Sequence, residues 1–251
     1  MSYKTICVWG SPGSCKSTVA EAIAWRLVEK KFNVLIINTS SEVPMLPLYL
    51  PEQKTSSNNS LGNLLSMPNL EYSALKNKIH MSPHSDKLGY MALVSGETPL
   101  TYSPFERIKV LAFLKTLANP SIDYIIIDCC SNPMIDTLTL IGLERAEFVI
   151  RCITPDIKGI EFTKSHLSWL GDSIKIDTSR QIKLAGPVKE CSAVDEVGAA
   201  IGGFDYILPE NREVYSAFVA GGKFGICKSA GGIEFDKQIS KLVDERVMSD
   251  A

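Results

Sequence analysis

Gly10-Ser11-Pro12-Gly13-Ser14-Cys15-Lys16-Ser17 stands between an apolar run, Lys4 to Trp9, and a stretch in which Ala20, Ile23, Ala24, Leu27 and Val28 recur at three- and four-residue spacing. The run reads as a short strand, and the spacing as one face of a helix starting near the lysine. Strand, glycine-rich turn and helix in that order are the setting of a phosphate-binding P-loop. In the pattern G-x-x-x-x-G-K-[ST], glycines let backbone N–H groups close around phosphates. The lysine neutralises the outer phosphates and the hydroxyl residue ligates Mg²⁺. Gly10, Lys16 and Ser17 match, whereas Cys15 stands where the last glycine belongs. The eight residues alone also fit an ordinary turn, but the flanking strand and helix favour an anion site between Gly13 and Thr18, helped by the free N–H groups of a helix N-terminus.

The rest of the chain agrees with an α/β domain wound around that loop. At 251 residues with 45% hydrophobic content it can bury a full core, and residues 1–251 are expected to form one domain without a linker. A net charge of −2 and a pI near 6.0 disfavour a strongly basic nucleic-acid surface. The longest apolar runs are strand-sized, and no charged-then-apolar leader precedes the first strand, so the expected compartment is the cytoplasm. Seven cysteines lack C-x-x-C or Cys/His ligand spacing, and three histidines (80, 84 and 166) suggest no triad. Buried thiols and solvated or core histidines are the expectation.

Asn33 to Asn38 (NVLIIN) reads as a second buried strand of a parallel sheet. Between Ser40 and Asn69, Pro44, Pro47 and Pro51 are expected to break regular structure, leaving a surface excursion with one short helix near Leu61 to Leu65. Weak strands are expected at 78–81 and 90–94, and a helix over 104–117 burying Ile108, Leu111, Ala112 and either Leu114 or the stem of Lys115. Ile122-Asp123-Tyr124-Ile125-Ile126-Ile127-Asp128 is a bulky strand ending in an acid, the form of a Walker B carboxylate. Asp128 is therefore expected to hold Mg²⁺ through water. Further strands are expected at 148–153, 181–184 and 204–208, with helices at 134–143, 157–170, 211–219 and 233–247. This alternation specifies a doubly wound, mostly parallel sheet in a three-layer α/β/α arrangement.

Together these segments resemble the MinD/ParA-like branch of P-loop ATPases, including relatives that position pili and flagella. The likeness runs through VWGSPGSCKST (8–18), VLIINTS (34–40), DYIIIDCCSNPMID (123–136), AEFVIRCITPDIKG (146–159) and FDYILPENREVYSAF (204–218). It implies ATP and Mg²⁺ as cofactors and a protein partner. It also implies a base pocket bordered by Pro209 and Glu210, with Gly186 and Pro187 after the preceding strand. Three departures stand against it. The lysine that reaches into the partner's nucleotide in the family's ATP-sandwich dimer is Ser11 here, so any homodimer should not depend on that contact. The aspartate ending the second strand, which orients water or the metal shell, is Asn38. Cys15 brings a side chain to a point of close phosphate approach.

Because catalysis here is mostly positioning and electrostatics, these losses predict weak or absent hydrolysis in a positioning or partition-type ATPase. A nucleotide-independent scaffold of the same fold is the alternative. A small-molecule kinase is disfavoured by the lack of an Arg-rich lid, and GTP by Thr163-Lys164-Ser165-His166, which fails the guanine motif at its last position. The amphipathic tail, with Phe235, Ile239, Leu242, Val243 and Val247 on one face and Lys237, Lys241, Asp244 and Glu245 on the other, reads as a core-packing helix rather than a membrane anchor.

Overall fold

The computed structural model describes residues 3–68, 70–98, 100–118, 121–172, 176–177, 181–221 and 227–249. Strands β1 (Lys4–Gly10), β2 (Val34–Asn38), β3 (His80–Ser82), β4 (Ser85–Met91), β5 (Tyr124–Asp128), β6 (Phe148–Ile153), β7 (Ile182–Val188) and β8 (Tyr206–Pro209) form one sheet in the order β3-β4-β2-β5-β1-β6-β7-β8. Every pairing is parallel except the β3/β4 edge hairpin. The central strands are buried on both faces, hence their unbroken apolar runs.

Helices cover both sides. On one face, Ile6, Val8, Ile36 and Ile126 meet α1 (Lys16–Glu29), α2 (Leu46–Tyr49), α9 (Arg212–Val219) and α10 (Ala230–Leu242) through Ile23, Tyr49, Val214 and Phe235. On the other, Cys7, Trp9, Ile37 and Ile127 meet α3 (Leu61–Ser66), α5 (Arg107–Thr116), α6 (Thr137–Arg145) and α7 (Ile157–Asp172) through Leu64, Phe113, Ile141 and Leu170. The register sets β1 against both β5 and β6. The chain leaving β1 therefore emerges beside the acidic end of β5, at the sheet's C-terminal edge where open α/β sheets bind ligands.

Several expectations need correction. Pro47 does not break regular structure: it sits in the first turn of α2, where a missing N–H costs nothing. The segment around it is no surface excursion, because Met45, Leu46, Tyr49 and Leu50 are buried in the core. In α5 the apolar face is rotated from the expected one. Leu114 is buried as expected, but Val110 and Phe113 are buried with it while Ile108 is 73% exposed. The strand expected at 90–94 is β4, several residues earlier, and α4 (Tyr72–Lys76) and α8 (Val194–Ile201) were not anticipated. The C-terminal helix ends in a π-type turn, Val243–Val247, and its five apolar tail residues are all buried. No helix among the described residues is long and apolar enough to cross a membrane.

Candidate functional site

The turn after β1 is built around two backbone positions. A Cβ at Gly10 would lie 1.7 Å from the Cys152 carbonyl oxygen on β6, so no side chain fits there. Cys15 caps α1 at φ 54° and ψ 27°, the left-handed region that glycine occupies without penalty, and its side chain accepts no cap hydrogen bond. The sulfur is not turned into the loop. A Cβ on Gly186 would lie 3.1 Å from it, and it packs against the helix-α1 side of the core. The departure from glycine thus appears as backbone strain at the start of α1. Burial pushes the Cys15 thiol up to about 12, with the Lys16 charge pulling the other way.

Ser11 and Ser14 brace the turn from within. Ser11 is 1% exposed. Its N–H donates to the Cys152 carbonyl at 3.1 Å, and its Oγ accepts from the Thr154 N–H at 3.0 Å. Ser14 Oγ donates to the Ser11 carbonyl at 2.6 Å. Lys16 Nζ reaches back to the same carbonyl at 3.3 Å and to Ser131 Oγ at 2.8 Å.

Asn38 and Asp128 end adjacent strands in direct register. Asp128 is 1% exposed, and its Oδ2 accepts from Asn38 Nδ2 and from the Tyr49 hydroxyl, each at 2.7 Å. Its Oδ1, equally buried, accepts no hydrogen bond among the described residues. Burial raises the Asp128 carboxyl above the ordinary range, opposed by Ser17, Tyr49, Asn38 and the Lys16 charge. Asn38 is fully engaged, since its Oδ1 also accepts from the Ser40 N–H at 3.0 Å. One turn of helix beyond Ser17, Glu21 is buried and accepts from Tyr90 at 2.6 Å and Trp25 at 3.1 Å; burial pushes its carboxyl up to about 7.

Two clefts flank the turn. One of about 270 Å³ is lined by Pro12, Lys16, Ser17, Asn38 and Cys129 to Asn132. The other, about 370 Å³, brings Cys15 and Thr18 together with Pro187, Pro209 and Glu210, as well as Arg212, Val214 and Tyr215 of α9 and Phe235 of α10. Glu210 itself faces outward, 3.3 Å from Lys189 Nζ. Tyr49 lies outside every motif, and Ser131, Thr154, Arg212 and Tyr215, though inside the stretches that carry the resemblance, were not singled out from the sequence. Only the fourteen-residue stretch 123–136, which runs past the Walker B acid to Asp136, hinted that the loop after β5 belongs to the site.

This sheet, with its glycine-rich turn between β1 and α1 and an acidic β5 alongside, is the P-loop NTPase α/β fold. More particularly, it is the fold of the ParA and MinD ATPases. A ParA family ATPase from Chlorobium tepidum superposes with a TM-score of 0.75 at 18% identity, covering 95% of this chain and 97% of that one. A putative plasmid partition protein from Borrelia burgdorferi bound to AMPPNP gives 0.76 at 16%, covering 97% and 99%. The septum site-determining protein MinD from Pyrococcus horikoshii, complexed with Mg-ADP, gives 0.73 at 18%, covering 100% and 99%. No family model and no curated protein sequence matches the chain.

Proposed function

We propose that this chain is a nucleotide-binding protein of the ParA/MinD type, taking ATP with Mg²⁺ and working as a positioning or partition switch with little hydrolysis. The observation that carries the reading is Oδ1 of Asp128, a buried carboxylate oxygen with no partner at hydrogen-bond distance among the described residues, in a carboxyl whose charged form Ser17 and Lys16 favour. An isolated buried carboxylate oxygen is costly, and a hydrated divalent cation is the ordinary way to satisfy it. The donor set fits Mg²⁺, with Ser17 as direct ligand and Asp128 through water, and bound Mg²⁺ supplies charge neutralisation at the outer phosphates. Gly10, Gly13 and the uncapped start of α1 suit a phosphate cradle, and Ser11, Pro12, Ser14 and Cys15 complete its backbone. Lys16 would exchange its contacts with Ser11 and Ser131 for phosphate oxygens. The larger cleft, between Pro187 and Pro209-Glu210, is sized for a base and ribose.

Weak turnover follows from Asn38, whose amide spends its donor on Asp128 and its acceptor on Ser40, and carries no basicity for orienting water. Calorimetric titration with ATP, with and without Mg²⁺, tests the reading. Wild type should bind, and Lys16→Ala should lose binding without a change in melting temperature. No binding by wild type would transfer the fold to the scaffold alternative.

A further inference from the structure

Tyr49 belongs to no motif, yet its hydroxyl lies 2.7 Å from the carboxylate proposed above to face Mg²⁺. Two ring contacts and burial fix where that hydroxyl points. The ring stacks on Tyr90, centroids 4.9 Å apart and planes 16° from parallel. Phe218 of α9 meets it edge-on at 6.5 Å and 80°. The side chain is 3% exposed, so the ring has no solvent side to swing into. Phenylalanine would keep both ring contacts and the burial. Only the hydroxyl, which in a dry core needs a partner, distinguishes tyrosine here.

That partner is one particular oxygen. Asn38 and Tyr49 both donate to Oδ2, and nothing described donates to Oδ1. A carboxylate held by two donors on one oxygen cannot rotate without breaking both bonds, so the free oxygen is held in one orientation, in a carboxyl on which Ser17 and Lys16 also act. We propose that Tyr49 is a positioning residue for the metal shell, fixing through its hydroxyl the Asp128 oxygen that receives hydrated Mg²⁺ and tying that carboxylate to helix α2. The inference rests on the nucleotide reading above and goes beyond it by assigning this role to a residue outside every P-loop signature. Partners that orient a metal ligand in this way commonly change metal affinity by one to two orders of magnitude.

The test is Tyr49→Phe in the full chain, with Tyr90→Phe as a matched loss of a buried hydroxyl that touches Glu21 instead of Asp128. Mn²⁺ is titrated at saturating non-hydrolysable ATP analogue and followed by its electron paramagnetic resonance. Nucleotide affinity in EDTA and melting temperature are measured alongside. Tyr49→Phe should weaken Mn²⁺ by about tenfold and alter the bound Mn²⁺ spectrum, leaving metal-free nucleotide affinity and folding within about twofold of wild type. Tyr90→Phe should leave Mn²⁺ affinity unchanged. Equal Mn²⁺ affinity in wild type and Tyr49→Phe overturns the inference while the nucleotide reading stands. A parallel loss of metal-free affinity and fold, or the same Mn²⁺ weakening in Tyr90→Phe, makes the role structural and also overturns it. A wild type that binds no nucleotide overturns the reading beneath it.

Discussion

Asn38 Nδ2 donates to Asp128 Oδ2 across 2.7 Å, at the paired ends of β2 and β5. An amide in this position neutralises nothing, but it satisfies half of a buried carboxylate. Asn38→Asp would replace the donor by a second buried carboxylate at hydrogen-bond distance, and two such groups cannot both ionise without a cation between them. The variant should melt well below wild type at pH 8 in EDTA, recover at pH 5 as one proton is shared, and recover at pH 8 with Mg²⁺ and ATP. Differential scanning fluorimetry across those three conditions checks this. Equal melting in all three would mean that the loop relaxes around the pair.

Cys15 gives a separate measure of loop strain. Cys15→Ala and Cys15→Gly both remove the sulfur that packs toward Gly186, but only glycine relieves the left-handed backbone. The glycine variant should therefore be the more stable of the two by about 1 kcal/mol in chemical denaturation. Because both variants lack the sulfur, ATP affinity should differ little between them. A large gain in affinity for Cys15→Gly would restore the crowding expected from sequence alone.

Glu21 supplies a pH dependence. Its carboxyl is raised from 4.5 to about 7 in the folded chain, chiefly by burial. The native state then holds a proton that the unfolded state has released between those values, so stability falls as pH rises through this window and stays low above it. Glu21→Gln removes the charged form and should raise the melting temperature at pH 8 but not at pH 4.5. The ceiling is on the order of 3 kcal/mol, from about 1.4 kcal/mol per pH unit. A stabilisation that is the same at both pH values would place the effect in packing.

The fold could be read from the chain because its deciding segments are locally self-consistent. Residues 4–29 carry a strand, a turn and a helix whose apolar periods switch from continuous to three-and-four spacing at the glycines, and 124–128 is too apolar for anything but a covered strand. The phase of α5 was not legible. Ile108, Val110, Leu111, Ala112, Phe113 and Leu114 put apolar side chains on every face, and packing against α6, with Arg107 bonded to Glu144 at 2.6 Å, selects among them. Tyr49 was hidden for a different reason. Its role comes from tertiary contacts with residues 41 and 79 positions away, in a segment whose prolines mask a four-residue helix.

Ser11 decides the last expectation, on assembly. Its hydroxyl is turned inward, accepting from the Thr154 N–H at 3.0 Å and lying 3.3 Å from Thr154 Oγ1, with 1% of the residue exposed. A residue so placed offers nothing to a neighbouring molecule, so Mg-ATP should not drive a monomer-to-dimer shift through it. Sedimentation velocity with and without Mg-ATP should give the same state, and a clear shift induced by ATP would sink the expectation. Introducing the missing cation should carry a cost in the same place. In Ser11→Lys the ammonium must leave this pocket for water, which strips the Thr154 N–H of its acceptor; an unsatisfied buried donor costs about 1–3 kcal/mol. For a chain of this length that is a fall in melting temperature of roughly 2–10 °C. Ser11→Lys should therefore be less stable than wild type and still fail to dimerise efficiently, because Asn38 leaves the Asp128 side of the site unchanged. A Ser11→Lys variant as stable as wild type would mean that the tie between the turn and Thr154 contributes little to holding the loop in shape.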